Sequence, residues 1–274
     1  ITGSNPSTDV QFKSGSLYRH SNLSTPTLLG RTYGNFEYSS GAIKTLTGSS
    51  AFTVENLTIS SGTLEFKVSG THSIKGNIFV DVGATLIFNT ATTAGSTFNL
   101  NGTSLQTITN NGTFYCKSQN STYTSTINVV SGSIVDLGGS VIRTDANKGA
   151  FVVASGATIK IGSPDGIVST GDFGNIQTYT RTFNTGANYE YNGTTAQVSG
   201  DALPSTVNNL TFNNSGIVSN GIGVTLTNNV AVTGTANVQS GLLIFNGKNI
   251  TGTTFTLTDG AKIKIDSPDG ITSS

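Results

Sequence analysis

Apolar residues alternate with polar ones in short runs along this chain, as in Phe52, Val54, Leu57 and Ile59 or Val224 and Leu226, and Gly, Asn or Ser soon breaks each run. A period of two marks a strand with one face buried, whereas helical spacing is nearly absent. The pattern predicts a succession of short β-strands. Within it one turn recurs, Gly-Ala-x-apolar-x-apolar, at Gly83 (GATLIF), Gly156 (GATIKI), Gly186 (GANYEY) and Gly260 (GAKIKI). Shorter or looser forms stand at Gly15, Gly34, Gly62, Gly112, Gly132, Gly216 and Gly241. Their mean spacing of roughly 24 residues falls in the range of solenoid repeats.

A chain circling a solenoid must turn sharply at the same corner each time, and Gly reaches positive φ there without steric cost. The expectation is therefore one glycine turn per coil, all at one corner, with alternate residues after it stacking on the coil below. In GATIKI this parity buries Ile159 and Ile161 and leaves Lys160 in water; in GAKIKI it exposes Lys262 and Lys264. The predicted fold is all-β, a right-handed parallel β-solenoid (β-helix) of about eleven coils, roughly 50 Å long at the spacing of neighbouring strands.

Two echoes organise the chain at longer range. Gly156–Ile167 returns 104 residues later as Gly260–Ile271 with ten of twelve positions identical. Asn35-Phe36-Glu37-Tyr38 and Thr53-Val54-Glu55-Asn56-Leu57-Thr58 return 153 residues later as Asn188-Tyr189-Glu190-Tyr191 and Thr206-Val207-Asn208-Asn209-Leu210-Thr211. The two shifts are compatible if a first module, 31–167, carries 153 − 104 = 49 residues, about two coils, that a second module, 181–274, lacks. The insert would include the turns at Gly112 and Gly132. Residues 1–30 read as incoming coils and 168–180 as a loop between modules. Each module opens on Arg-Thr-aromatic, Arg31-Thr32-Tyr33 and Arg181-Thr182-Phe183. Neither terminus resembles a polar capping repeat, so the chain is expected to be part of a longer array, with the second module truncated at its end.

Composition narrows the partners. Charged residues make up 10% of the 274 positions and the net charge is zero, so the polar surface comes from Thr, Ser and Asn. Nucleic acid and anionic membranes need clustered Lys and Arg, and neither is expected as a partner. No apolar run approaches the length of a membrane span, so membrane insertion is not expected either. The single Cys116 has no partner for an internal disulfide and reads as a small buried hydrophobe.

Few residues invite a chemical reading. Ser163-Pro164-Asp165-Gly166 and its copy at 267–270 offer a carboxylate in a glycine turn, but calcium takes several acidic ligands, and Pro-Asp-Gly is ordinary turn chemistry. Asn-x-Ser/Thr sequons such as Asn22, Asn56, Asn120 and Asn209 are read as stacking or turn residues before glycan acceptors. Thr-x-Thr pairs (Thr45/Thr47, Thr107/Thr109, Thr122/Thr124, Thr225/Thr227, Thr254/Thr256) resemble ice-binding rows but are irregularly spaced, and strand propensity accounts for them. His20 and His72 are isolated and the acidic residues scattered, although stacking of coils can bring distant carboxylates to glycosidase separation. Tyr38, Tyr189 and Tyr191 suggest a sugar platform, yet Tyr189 and Tyr191 share the inward parity of Ile159 and Ile161. No catalytic, cofactor or metal residue is assigned.

The stretch ANYEYNGTTAQVSGDALPSTVNNLTFNNSGI, with VTLTNNVAVTGTANVQSGLLIFNGKNITG and GAKIKIDSPDGI after it, resembles repeats of very large secreted surface proteins of Bacteroidota. The resemblance covers nearly all of 181–271 and, more loosely, 31–167. It implies a parallel β-solenoid, export by a type IX secretion route, and a role as adhesin, stalk or cell-surface filament; no functional residue carries over. The expected function is a non-catalytic structural or adhesive segment of an extracellular fibre. Its expected partners are further copies of its own repeats, and surface glycans are a candidate. A polysaccharide-binding or polysaccharide-degrading β-helix protein and a self-assembling filament subunit are the alternatives.

Overall fold

The alternation builds strands, and every pair of them runs parallel. The computed structural model describes residues 10–145, 148–216 and 221–266, and among these all regular structure is β. The chain winds as a β-solenoid with three faces per coil. Face 1 stacks Gly70–Ile74, Ser96–Leu100, Ser125–Val129, Gly149–Val153 and Thr180–Phe183 in unbroken register. Face 2 contains all or part of Leu17–His20, Thr32–Tyr38, Thr53–Ile59, Ile78–Val80, Leu105–Asn110, Ile134–Asp136, Thr158–Ile161, Asn188–Tyr191, Asn209–Asn213, Val230–Ser240 and Ile250–Leu257, eleven levels among the described residues. Face 3 comes in two runs, Ile43–Gly48 up to Ile176–Gln177, then Gln197–Val198 up to Lys262–Lys264.

Inward residues form continuous columns because the register holds from coil to coil. Val135, Ile159, Tyr189 and Leu210 follow one another on face 2, and Leu46, Phe66, Phe88 and Cys116 on face 3, all of them buried. Each such aliphatic side chain contributes on the order of 1.5 to 3 kcal/mol on burial. Ile159 and Ile161 point inward as the parity requires, and Lys160 points outward, where its Nζ lies 2.9 Å from Glu190 Oε2 in the next coil. Outward polar groups also bridge coils: Asn56 Nδ2 donates to Asn35 Oδ1 at 2.6 Å, Asn128 Nδ2 to Asn99 Oδ1 at 2.9 Å, and Asn209 Nδ2 to Asn188 Oδ1 at 2.8 Å.

The expectation of a single glycine corner is corrected. Gly15, Gly132, Gly156 and Gly186 lead into face 2, whereas Gly62, Gly83, Gly112, Gly241 and Gly260 lead into face 3. A three-faced coil has a sharp corner before each face, and the same turn serves any of them. Asp81–Ala84, Val130–Ser133, Ala154–Ala157 and Thr258–Ala261 share a first-to-fourth backbone hydrogen bond with Gly third at positive φ, where a residue with a Cβ is strained. Gly112 has no positive φ; a Cβ there would overlap the Asp81 and Ala84 carbonyl oxygens of the coil below. Close approach, not turn geometry, calls for glycine at that position.

The two echoes fare differently against the faces. In both copies of the 153-residue echo the Asn-aromatic-Glu-Tyr strand and the Asn-Leu-Thr stacked on it lie on face 2. The 104-residue echo does not: Thr158–Ile161 lies on face 2 and Lys262–Lys264 on face 3. The second Ser-Pro-Asp-Gly stretch, 267–270, is outside the described residues.

Candidate functional site

Most side chains singled out for chemistry point into the core. Tyr38, Tyr189 and Tyr191 are buried, which removes them as a sugar platform, and each hydroxyl reaches a backbone carbonyl: Ala42 O at 3.0 Å, Asn184 O at 2.7 Å and Ser199 O at 2.6 Å. Cys116 is fully buried, and loss of solvation pushes its thiol up to about 12. His20 Nε2 lies 2.8 Å from the Ser24 carbonyl, which only accepts, so that nitrogen donates, and Nδ1 lies 3.1 Å from the Tyr18 hydroxyl. His72 is stacked between Phe52 and Phe98, at 4.7 and 5.2 Å between ring centres, with both nitrogens unpartnered. Burial is the larger influence and drives its pKa down to about 4, while the nearby Ser69 backbone acts in the opposite direction.

The turn at 163–166 is held by backbone and side chain together. Gly166 N–H donates to Ser163 O at 3.1 Å, and the Asp165 carboxylate accepts from Gly174 N–H at 3.2 Å. Among the described residues no three of His, Cys, Asp and Glu gather as metal ligands. The loop that follows is tied down by Arg181, which donates to the Thr178 and Val168 carbonyls at 3.0 and 2.9 Å and also to Gly171 O. From above, Asp201 takes the Ser169 N–H and hydroxyl at 2.8 and 2.6 Å, and these bonds hold its carboxyl below the usual carboxylate range. The sequence pattern suggests a plain loop at 168–180 because the Arg181 and Asp201 anchors lie outside it.

Stacking does bring distant charges together. Asp136, Lys160 and Glu190 occupy one outward column on consecutive coils of face 2. Lys160 stands between the two carboxylates, Asn213 Nδ2 donates to Glu190 Oε1 at 2.9 Å, and Asn192 Nδ2 donates to both Asp136 oxygens at 3.0 and 3.1 Å. Every member of the column has a structural partner. The Thr-x-Thr pairs do not align with one another: Thr45/Thr47 lies on face 3 and Thr107/Thr109 on face 2. Threonines that do align, Thr71, Thr97 and Thr126 on face 1, were not legible as pairs. Of the sequons, Asn56 and Asn209 stack between coils, and Asn22 and Asn120 accept the N–H two residues on, as turn residues do.

A concave site lies on the outer surface of face 2. Leu105–Asn110 changes neighbours halfway along. Ile108–Asn110 pair with Ile78–Val80 of the coil below, whereas Leu105–Thr107 pair with Ile134–Asp136 of the coil above. The strands therefore splay between Asn77 and Thr107. Inside, Gln106 fills the gap: its Nε2 donates to Ile74 O and Gly76 O at 3.0 and 2.8 Å, and its Oε1 accepts from Gly102 N–H at 2.8 Å. Thr107 N–H donates to Asn77 Oδ1 at 2.8 Å in place of a ladder bond. Outside, the splay opens a cleft of about 470 Å³ lined by Asn56, Thr58, Asn77, Ile78, Phe79, Thr107 and Thr109.

Gln106 was missed in the sequence, although a signal was present. Asn101-Gly102-Thr103-Ser104-Leu105-Gln106 is echoed by Asn192-Gly193-Thr194-Thr195-Ala196-Gln197, and Gln197 repeats the same bonds, donating to Ile161 O and Ser163 O at 2.8 and 2.9 Å and accepting from Gly193 N–H at 3.3 Å. Comparison with family models, with curated proteins and with solved structures finds no match for this chain.

Proposed function

We propose that this chain is a non-catalytic, adhesive segment of a long extracellular surface fibre. The observation that carries the reading is the stack itself: eleven levels on one face, joined coil to coil by parallel pairing, asparagine bridges and the Lys160–Glu190 ion pair. Such a quasi-one-dimensional build transmits load along one axis and presents a long lateral surface. The resemblance to repeats of large secreted surface proteins of Bacteroidota supports the same reading, and with it a type IX export route. The buried histidines and the fully partnered carboxylate column favour a structural role over polysaccharide cleavage.

The test is made on cells that produce the protein. An antibody raised against this segment should label intact, unpermeabilised cells along extended projections, and the purified segment should leave a panel of acidic and neutral polysaccharides undegraded. Labelling confined to permeabilised cells, or release of oligosaccharides, refutes the proposal.

A further inference from the structure

The geometry points to the cleft over Phe79 as a binding site for an uncharged saccharide, a proposal that deepens the adhesive reading and rests on it. Phe79 stands at the centre of the cleft, in register between Thr58 of the coil below and Thr109 of the coil above. The neighbours of Phe79 along its own strand, Ile78 and Val80, are buried, so it is the outward residue there, and its ring contacts no other aromatic among the described residues. Phe79 is partly exposed, and an apolar ring at the floor of a cleft bounded by polar groups suits the apolar C–H face of a sugar ring, with the sugar hydroxyls directed to the rim.

The rim supplies what those hydroxyls need. The Thr58, Thr107 and Thr109 hydroxyls and the Asn77 Nδ2 make no hydrogen bond to another described residue, whereas Asn77 Oδ1 and both ends of the Asn56 amide are engaged. Three hydroxyls that both donate and accept, with one amide donor, match an alcohol-rich ligand. None of the lining residues is charged, and the charge next to the rim is a carboxylate, since Asp136 at the foot of the Asp136–Lys160–Glu190 column is in register with Thr107. An acidic sugar would meet no cation in the cleft and would have to lose its hydration without compensation. The volume is within the range of small-ligand sites. The supports are also fixed in place, since Gln106 closes the splay from inside and Asn77 locks Thr107 from the outside.

The experiment uses the full 274-residue chain on an array of neutral and acidic oligosaccharides, followed by titration with the strongest neutral ligand. Wild type should bind neutral glycans, and raising the salt concentration should not weaken the interaction, because no ion pair is involved. Phe79→Ala should weaken binding about tenfold or more, as truncation of a central aromatic anchor does. Thr109→Lys should weaken it as well. Tyr115→Ala, an aromatic truncation on face 3, should leave it unchanged. Unaltered far-ultraviolet circular dichroism and melting of Phe79→Ala show that any loss belongs to the site. No neutral glycan bound, binding confined to acidic glycans, or full affinity in Phe79→Ala overturns the proposal. The cell-labelling result is independent of all three, so failure of the cleft and failure of the fibre reading are told apart.

Discussion

Replacing His72 by Phe should both stabilise the solenoid and flatten its response to mild acid. The ring sits fully buried on face 1, directly below Phe98 in the inward column, with Phe52 on its other side. Neither nitrogen has a hydrogen-bond partner, and a buried polar group left unmade costs about 1 to 3 kcal/mol. At neutral pH, His72→Phe should therefore gain about 1 to 3 kcal/mol, less whatever the larger ring loses in repacking. His72→Leu, which avoids the added bulk, serves as the second variant.

The pH dependence follows from the same burial. The folded pKa of about 4 lies below the ordinary 6.5, so as pH falls the unfolded chain takes up the proton first. Stability from the neutral ring is complete above about 6.5, declines through the interval, and stops declining once pH passes below about 4, where both states are protonated. A gap of about 2.5 pH units at 1.36 kcal/mol each amounts to about 3 kcal/mol. Denaturant titrations of the wild type and both variants from pH 7.5 to 3.5, with hydrogen exchange at residues 70–74, measure this difference directly. The variants should pull away from wild type as pH falls, by up to about 3 kcal/mol. Parallel pH profiles, or a His72→Phe protein less stable than wild type at both ends while His72→Leu gains nothing, would refute the argument.

Three further perturbations probe other parts of the stack. Gln106→Leu leaves the Gly102 N–H and the Gly76 carbonyl without their partner, while the Ile74 carbonyl keeps the Asn101 N–H, and should lower stability by about 1 to 3 kcal/mol in denaturant titration; a loss below about 0.5 kcal/mol would mean that the backbone recloses by itself. Ile159→Asp places a carboxylate between Val135 and Tyr189 and should abolish exchange protection in the adjoining coils, while Ile159→Val costs only about 0.5 to 1.5 kcal/mol. The Cys116 thiol, buried and raised to about 12, should resist an alkylating reagent at pH 8 in the native protein and react promptly in denaturant; equal rates in both conditions would contradict its burial.

What could be read in advance depended on the range of the interaction. Alternation is a local property, so the strands, the inward parity of Ile159 and Ile161 and the burial of Tyr189 and Tyr191 were legible from a few neighbouring residues. The number of levels was legible as well, because each coil needs sharp turns and glycine marks many of them. The cleft was not. It arises where one strand divides its pairing between two coils, and no residue of Leu105–Asn110 announces that division except through the Asn-Gly-Thr-x-x-Gln echo.

The two long echoes show why sequence identity and position in the coil are separate matters. The 104-residue echo is the closer match, yet its copies lie on different faces. What it conserves is local: a Gly-Ala turn with a first-to-fourth bond, closing at Ala157 and again at Ala261, and an alternating strand after it. Any corner accepts that unit. The 153-residue echo is looser in wording but includes Asn35 with Asn56, and Asn188 with Asn209, side chains that bond each other between consecutive coils. An asparagine bridge works only if both partners keep their column, so it ties the residue to a face in a way that a turn does not. In a three-faced solenoid, then, residues that touch the next coil fix the register, and residues that touch only their own turn repeat wherever the chain must bend.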